Sequence, residues 1–93
     1  MAFGKYLRRE REEREITLTE LARRVDISIA YLSRIERERE NPPPDRLMTA
    51  LARALDLPVD DVFAAARRLP PDLRARTNDV IAVYRRQSAG RAP

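Results

Sequence analysis

Residues 16–41 read ITLTELARRVDISIAYLSRIEREREN. They parse as two short helices joined by a tight turn. Thr17 followed by Glu20 makes a capping box, with Ile16 and Leu21 placed as its hydrophobic staple. Leu21, Ala22 and Val25 then share one face. At the turn Val25-Asp26-Ile27, Asp is a residue type that tolerates positive φ better than most non-glycine residues. The second helix repeats the grammar: Ser28 caps it, and Ile27 and Leu32 staple it. With Leu32 as the buried direction, helical spacing puts Ser28, Ile35 and Glu36 within about 60° of it, and Ala30, Arg34 and Arg37 almost opposite. Ile29, Tyr31 and Ser33 flank that outer side, which a core does not need. A short capped helix with small residues exposed near its start fits a major groove about 12 Å wide.

Upstream, residues 3–15 (FGKYLRREREERE) predict a helix with Phe3, Leu7 and Tyr6 as a thin apolar stripe. Its charges pair at i,i+4 as Arg8–Glu12, Arg9–Glu13, Glu10–Arg14 and Arg11–Glu15, a pattern that supports a solvated helix. Arg11 lies near the Leu7 side and so points inward, as Glu36 does on the third helix. The two are expected to pair.

Downstream, Pro42-Pro43-Pro44 ends the third helix, and Pro44 suits the first position of a fourth. That helix runs to about residue 55 with Leu47, Leu51, Ala54 and Leu55 as its buried face. Leu57-Pro58 breaks it. A fifth helix begins near Val59 and Asp60, buries Val62, Phe63 and Ala66, and stops before Pro70-Pro71. A final helix is expected from residue 71 to about 86, where Leu73, Thr77, Val80 and Tyr84, with Ile81 beside them, recur as a two-heptad seam. This seam can pack on its own domain or pair two copies of the chain. Pairing is favoured because the preceding helices already complete a small core. Residues 87–93 read as a disordered tail.

The composition excludes most chemistry. The chain of 93 residues has neither Cys nor His, which removes thiolate and imidazole metal sites and any His general base. Its acidic residues lie in charge-paired runs without a convergent cluster, so no enzyme and no cofactor are expected. No apolar run is long enough to span a bilayer and no signal-peptide segment opens the chain, so the expected location is cytoplasmic, with no membrane partner. With 5% aromatic and 37% charged residues, the core must be aliphatic. The net charge of +4 favours a polyanionic partner. It does not single out the recognition segment, because residues 1–41 carry ten basic and nine acidic side chains.

The stretches LRREREE, ITLTELARRVDIS and IAYLSRIERERENPPPDRLMTALARALDLPVDDVF together resemble the helix-turn-helix domain of the Cro/phage-repressor type, the Xre family. The resemblance rests on the spacing of Leu21, Ala22, Val25, Leu32, Ile35, Glu36, Pro42, Leu47 and Leu55, and covers about two-thirds of the chain. It implies an all-α, five-helix, lambda-repressor-like DNA-binding domain with an additional C-terminal helix. In those terms residues 1–68 form the helix-turn-helix domain with its motif at about 17–37, and residues 69–86 are expected to form the dimerisation element. The Arg11–Glu36 pair also resembles a pair in that fold. The family commonly has glycine where this chain has Glu15, Asp26 and Glu38, and an apolar residue where it has Glu10. Stiffer or slightly strained loops are therefore expected.

The resemblance also implies residue roles. Ser28, Ile29, Ala30, Tyr31 and Arg34 lie in or near the major groove. Arg34 is the expected base contact, bidentate to guanine, with a surface pair to Glu38 as the alternative. Ile29 or Ala30 meets a thymine methyl. Tyr31 packs on the backbone or is partly core. Phosphate contacts are expected from the amides of Thr17, Leu18 and Thr19 and from Ser33, Arg37, Arg39 and Asn41. Arg23 and Arg24 read as solvated. The implied partners are double-stranded DNA and a second copy of the chain, and the implied activity is that of a repressor at a near-palindromic operator. Two other readings are kept: an antitoxin whose last helix holds a toxin or another protein such as an antirepressor, and a binder of nucleic acid without sequence preference.

Overall fold

The computed structural model describes residues 2–75. Every regular element among the described residues is helical: α1 (Phe3–Glu13), α2 (Leu18–Arg24), α3 (Ile29–Glu36), α4 (Asp45–Ala54), α5 (Val59–Ala65) and α6 (Pro71–Ala75). Thr77, Val80, Ile81 and Tyr84 of the expected seam, and the expected tail, lie outside the described residues. Among the described residues no helix is long and apolar enough to cross a membrane.

The helices α2 and α3 start where a side chain satisfies a first-turn amide. Glu20 N donates to Thr17 Oγ1 at 3.1 Å and Thr17 N donates back to Glu20 Oε2 at 3.4 Å, completing the capping box on α2. Tyr31 N donates to Ser28 Oγ at 3.0 Å on α3. Pro44, expected as the first residue of α4, is instead its cap, with an extended ψ of 159°. A proline's fixed φ suits either place, and Asp45 takes the first turn, where a carboxylate faces the positive end of the helix.

The helices α1 to α5 all end in the same way. The residue after each cap is left-handed and is not glycine: Glu15 (φ 55°), Asp26 (58°), Glu38 (62°), Asp56 (54°) and Arg67 (56°). The following amide reaches back five residues to close a Schellman motif. These bonds run from Ile16 N to Arg11 O, Ile27 N to Ala22 O, Arg39 N to Arg34 O, Leu57 N to Ala52 O, and Arg68 N to Phe63 O, at 2.8–3.2 Å. Ile16, Ile27 and Leu57 then fold onto the core, which offsets part of the conformational cost. The helix expected over residues 3–15 therefore stops at Glu13, with Glu15 already turned away.

That early stop redistributes the charges of α1. Arg8–Glu12 (2.9 Å) and Glu10–Arg14 (2.8 Å) form as expected. Arg9 turns to Glu10 at 3.4 Å and lies over the Tyr6 ring, so it does not pair with Glu13. Arg11 pairs with α3 and not with Glu15. The Arg14 hydrogen bond holds the Glu10 carboxyl below its ordinary range, which explains how a carboxylate occupies a half-covered position where an apolar residue would serve.

The core is built from Phe3 and Leu7 on α1, Leu21, Ala22 and Val25 from α2 and its cap, Leu32 and Ile35 on α3, and Val62 and Phe63 on α5. The α4 contribution differs from expectation. Met48, Leu51, Ala52 and Leu55 are buried, whereas Leu47 and Ala54 are only partly covered. The observed set is a tighter helical stripe, and the two expected residues lie at its margins. Ala66, expected to be buried, is partly covered as the α5 cap.

Two contacts set how α1 meets α3. Gly4 is buried against the end of α3, where a Cβ would run into Ile35 O and stand 2.8 Å from Glu36 O. About two turns later, Arg11 donates from Nε and Nη2 to the two Glu36 carboxylate oxygens at 2.8 and 2.9 Å. Its Nη1 donates to Ile16 O at 2.8 Å. The pair is largely buried, with side-chain exposures of 12% and 5%.

Removing Glu36 would leave the guanidinium buried without its counter-charge. Glu36→Ala is expected to lower stability by about 3–5 kcal/mol in chemical denaturation, and a loss below about 1 kcal/mol would show that the pair is dispensable. The left-handed helix ends give the opposite sign. Glu15→Gly and Asp56→Gly each remove a Cβ from a disfavoured conformation and should stabilise by about 0.5–1 kcal/mol, less than the full steric term because glycine also loosens the unfolded chain. Thermal midpoints that fall in both variants would show that these ends are unstrained.

Candidate nucleic-acid interface

The inner face of α3 is spoken for by Leu32, Ile35 and Glu36, all buried. What it leaves outward is Ile29, 47% exposed, together with Ala30, Arg34 and Arg37. Ser28 was placed near the inward direction by helical spacing, but it is exposed. As the cap it lies outside the helix, so the 100° rule does not reach it, and its hydroxyl is engaged by Tyr31 N. Tyr31 is half-buried and packs against the core edge.

Arg34 lies beside Tyr31, with its guanidinium 5.9 Å from the ring centroid. Its carboxylate partner is Glu40, at 3.3 Å, and not Glu38. The reason is local: Glu38 is the left-handed residue beyond the helix end, so it no longer sits one turn above Arg34. Glu40 carries no helical-spacing signal, six residues along in a loop, and could not be found from periodicity. Both partners are well exposed, at 45% and 39%, so the pair contributes at most about 1 kcal/mol and readily exchanges for another acceptor.

The positions expected at phosphates lie at the start of α2, on α3 and its cap, and in the loop after α3. Arg37 Nε donates to Ser33 O at 3.4 Å, a long bond that leaves most of the side chain exposed. Ser33 is half-buried, and Arg39 and Asn41 are exposed in the loop after α3. Thr17 spends its hydroxyl on Glu20 N, and Leu18 packs partly against the core. The amides of Leu18 and Thr19 precede the first i→i−4 bond of α2, which begins with Leu21 N to Thr17 O. Arg23 and Arg24 are exposed. Leu73 is 36% exposed on α6 and stands well apart in sequence from this face. Among the described residues no group of His, Cys, Asp or Glu is arranged to hold a metal ion.

Similar proteins share this architecture. The sequence profile described as a helix-turn-helix domain matches residues 2–66. The transcriptional repressor RghR of Bacillus subtilis is 37% identical over 65 residues, covering 70% of this chain and 48% of that one. The clp gene regulator ClgR of Corynebacterium glutamicum superposes with a TM-score of 0.63 at 32% identity, covering 87% of this chain and 84% of that one. The biofilm master regulator SinR, solved in complex with DNA, superposes with a TM-score of 0.61 at 28% identity, covering 66% of this chain and 97% of that one. The chain spans about half the length of the curated relatives it matches. The profile match runs through all the helices that hold α3 in place, and with the capped α2–turn–α3 unit and the Arg11–Glu36 pair it leads to one assignment: the chain belongs to the helix-turn-helix domain family of the Cro/phage-repressor (Xre) type.

Proposed function

We propose that this chain is a sequence-specific double-stranded DNA-binding transcription regulator, a dimeric repressor at a near-palindromic operator, with α3 in the major groove. The observation that carries the reading is the outward face of α3. Ile29, Ala30 and Arg34 are exposed on a helix whose other side is fixed by core packing and a buried ion pair. An exposed isoleucine there serves no packing role but matches a thymine methyl. Likeness to SinR, a regulator solved with DNA, supports the same reading.

In this reading Ser28, Ile29, Ala30 and Tyr31 lie in or beside the groove, and Arg34 exchanges Glu40 for guanine O6 and N7. Thr17, Leu18 and Thr19 offer amides to one phosphate strand, and Ser33, Arg37, Arg39 and Asn41 flank the other side. Such contacts set register without reading bases. The domain comprises residues 1–68, and residues 69–86 pair two copies. The first half of the chain is nearly neutral, so pairing supplies much of the affinity. Leu69 (46% exposed) and Leu73, four residues apart, are in keeping with a protein contact at the start of that segment. They would serve an antitoxin's hold on its toxin equally well.

Selection of bound sequences from a random duplex pool tests the reading. An enriched motif with half-sites about one helical turn apart supports a dimer that reads bases, whereas no enrichment would reduce the function to binding without sequence preference. On the selected duplex, Arg34→Ala should weaken binding by about 1–3 kcal/mol and relax preference at one position of each half-site. An equal loss on selected and random duplexes would remove Arg34 from the base-reading role. Deleting residues 72–93 should convert dimer to monomer in sedimentation while preserving the helical signal. A truncated chain that stays dimeric refutes pairing through the final helix.

A further inference from the structure

The loop between α3 and α4 carries Arg39, Glu40 and Asn41 and then three prolines, which contribute no backbone N–H groups. At its start, Glu38 N and Arg39 N bond back to Ile35 O and Arg34 O, and at its end Pro44 O accepts from Leu47 N and Met48 N. Between these anchors the loop is held from a distant part of the chain. Arg68 Nη1 donates to Pro43 O at 2.8 Å and to Asp45 Oδ1 at 3.1 Å, and lies 3.2 Å from Met48 Sδ. Its Nη2 donates to Pro42 O at 3.5 Å. The base of this side chain is itself fixed, because Arg68 N closes the Schellman motif on Phe63 O at 2.9 Å and Phe63 is fully buried. A planar fork on a rigid mount thus meets two proline carbonyls, the first carboxylate of α4 and a core methionine.

We propose that Arg68 is a positioning residue for DNA binding: it fixes the proline loop so that Arg39 meets a phosphate and Glu40 stays within reach of Arg34. This role rests on the DNA-binding reading given above. Arg68 acts through the loop and does not touch DNA. Lysine cannot replace it, since one ammonium on a flexible stem does not span the same spread of acceptors.

The salt dependence of binding tests this, because each phosphate contact contributes a slope of about 0.9 in log affinity against log salt. Full-length wild type, Arg68→Met, Arg68→Lys, Arg39→Ala and Arg39→Ala/Arg68→Met are titrated with the selected duplex between 50 and 200 mM salt, after melting curves establish that each is folded. Arg68→Met and Arg68→Lys should each lose about one contact per domain. Per domain, the advantage of wild type over each variant then shrinks about three- to fourfold from 50 to 200 mM. Arg39→Ala should lose the same contact, and the double variant no more than either single. Amide exchange at Glu40 and Asn41 should rise in Arg68→Met without DNA.

An unchanged slope in Arg68→Met overturns the role. So does a wild-type slope in Arg68→Lys, or additive losses in the double variant, since either would put the Arg68 charge itself on a phosphate. If wild type prefers no duplex at all, the DNA-binding reading falls and this role with it; if wild type binds and only the Arg68 slopes are unaltered, this role alone falls.

Discussion

One guanidinium joins three segments of this chain. Arg11 on α1 meets both carboxylate oxygens of Glu36 on α3 and the carbonyl of Ile16 just before α2. The two helices of the helix-turn-helix unit are therefore referenced to the same side chain. A buried pair of this kind adds little net stability, since desolvation cancels much of the attraction. Its value is directional: a bidentate arginine–carboxylate contact has one good geometry, so it sets the angle at which α3 leaves the core. Gly4 does complementary work at the other end of α1, where the helix comes against the Ile35 and Glu36 carbonyls with no room for a methyl group.

The second recurring constraint is the way the helices stop. The five ends share one hydrogen-bond pattern and place Glu, Asp or Arg where glycine is the usual choice. Each such residue carries a steric cost of about 1–2 kcal/mol for a left-handed conformation. The closing amide bonds and the apolar residues Ile16, Ile27 and Leu57 just beyond hold the chain there nonetheless. The same geometry has an electrostatic consequence at α3. With Glu38 rotated out of the helix, Glu40 becomes the carboxylate next to Arg34, so the arginine proposed above to read a base is parked beside an exposed acid that it can exchange.

Much of this was legible in the chain itself. The capping box at Thr17 and Glu20, the Ser28 cap, the inward Leu21, Ala22, Leu32 and Ile35, and the meeting of Arg11 with Glu36 all follow from local hydrogen-bond needs and a 100° step, which act over a few residues. The misplaced features share a different cause. Helical spacing gives Ser28 a direction that does not apply, because as the cap it lies outside the helix. The apolar pattern points to Leu47 and Ala54 as readily as to Met48 and Ala52, because it does not say which edge of a stripe a neighbouring helix will cover. The i,i+4 pattern offers Glu13 to Arg9, which turns instead to Glu10 and the Tyr6 ring.

The sequence by itself determined the helical class, the turn, the caps and the identity of the outward face on α3, because each depends on residues within one or two turns of each other. Only the tertiary structure decided that Arg34 sits with Glu40 and that Arg68 reaches back to Pro42 and Pro43. No periodicity links either set of partners: Glu40 lies in a loop beyond a left-handed residue, and the Arg68 contacts join residues far apart in the chain that meet once α5 packs against α4.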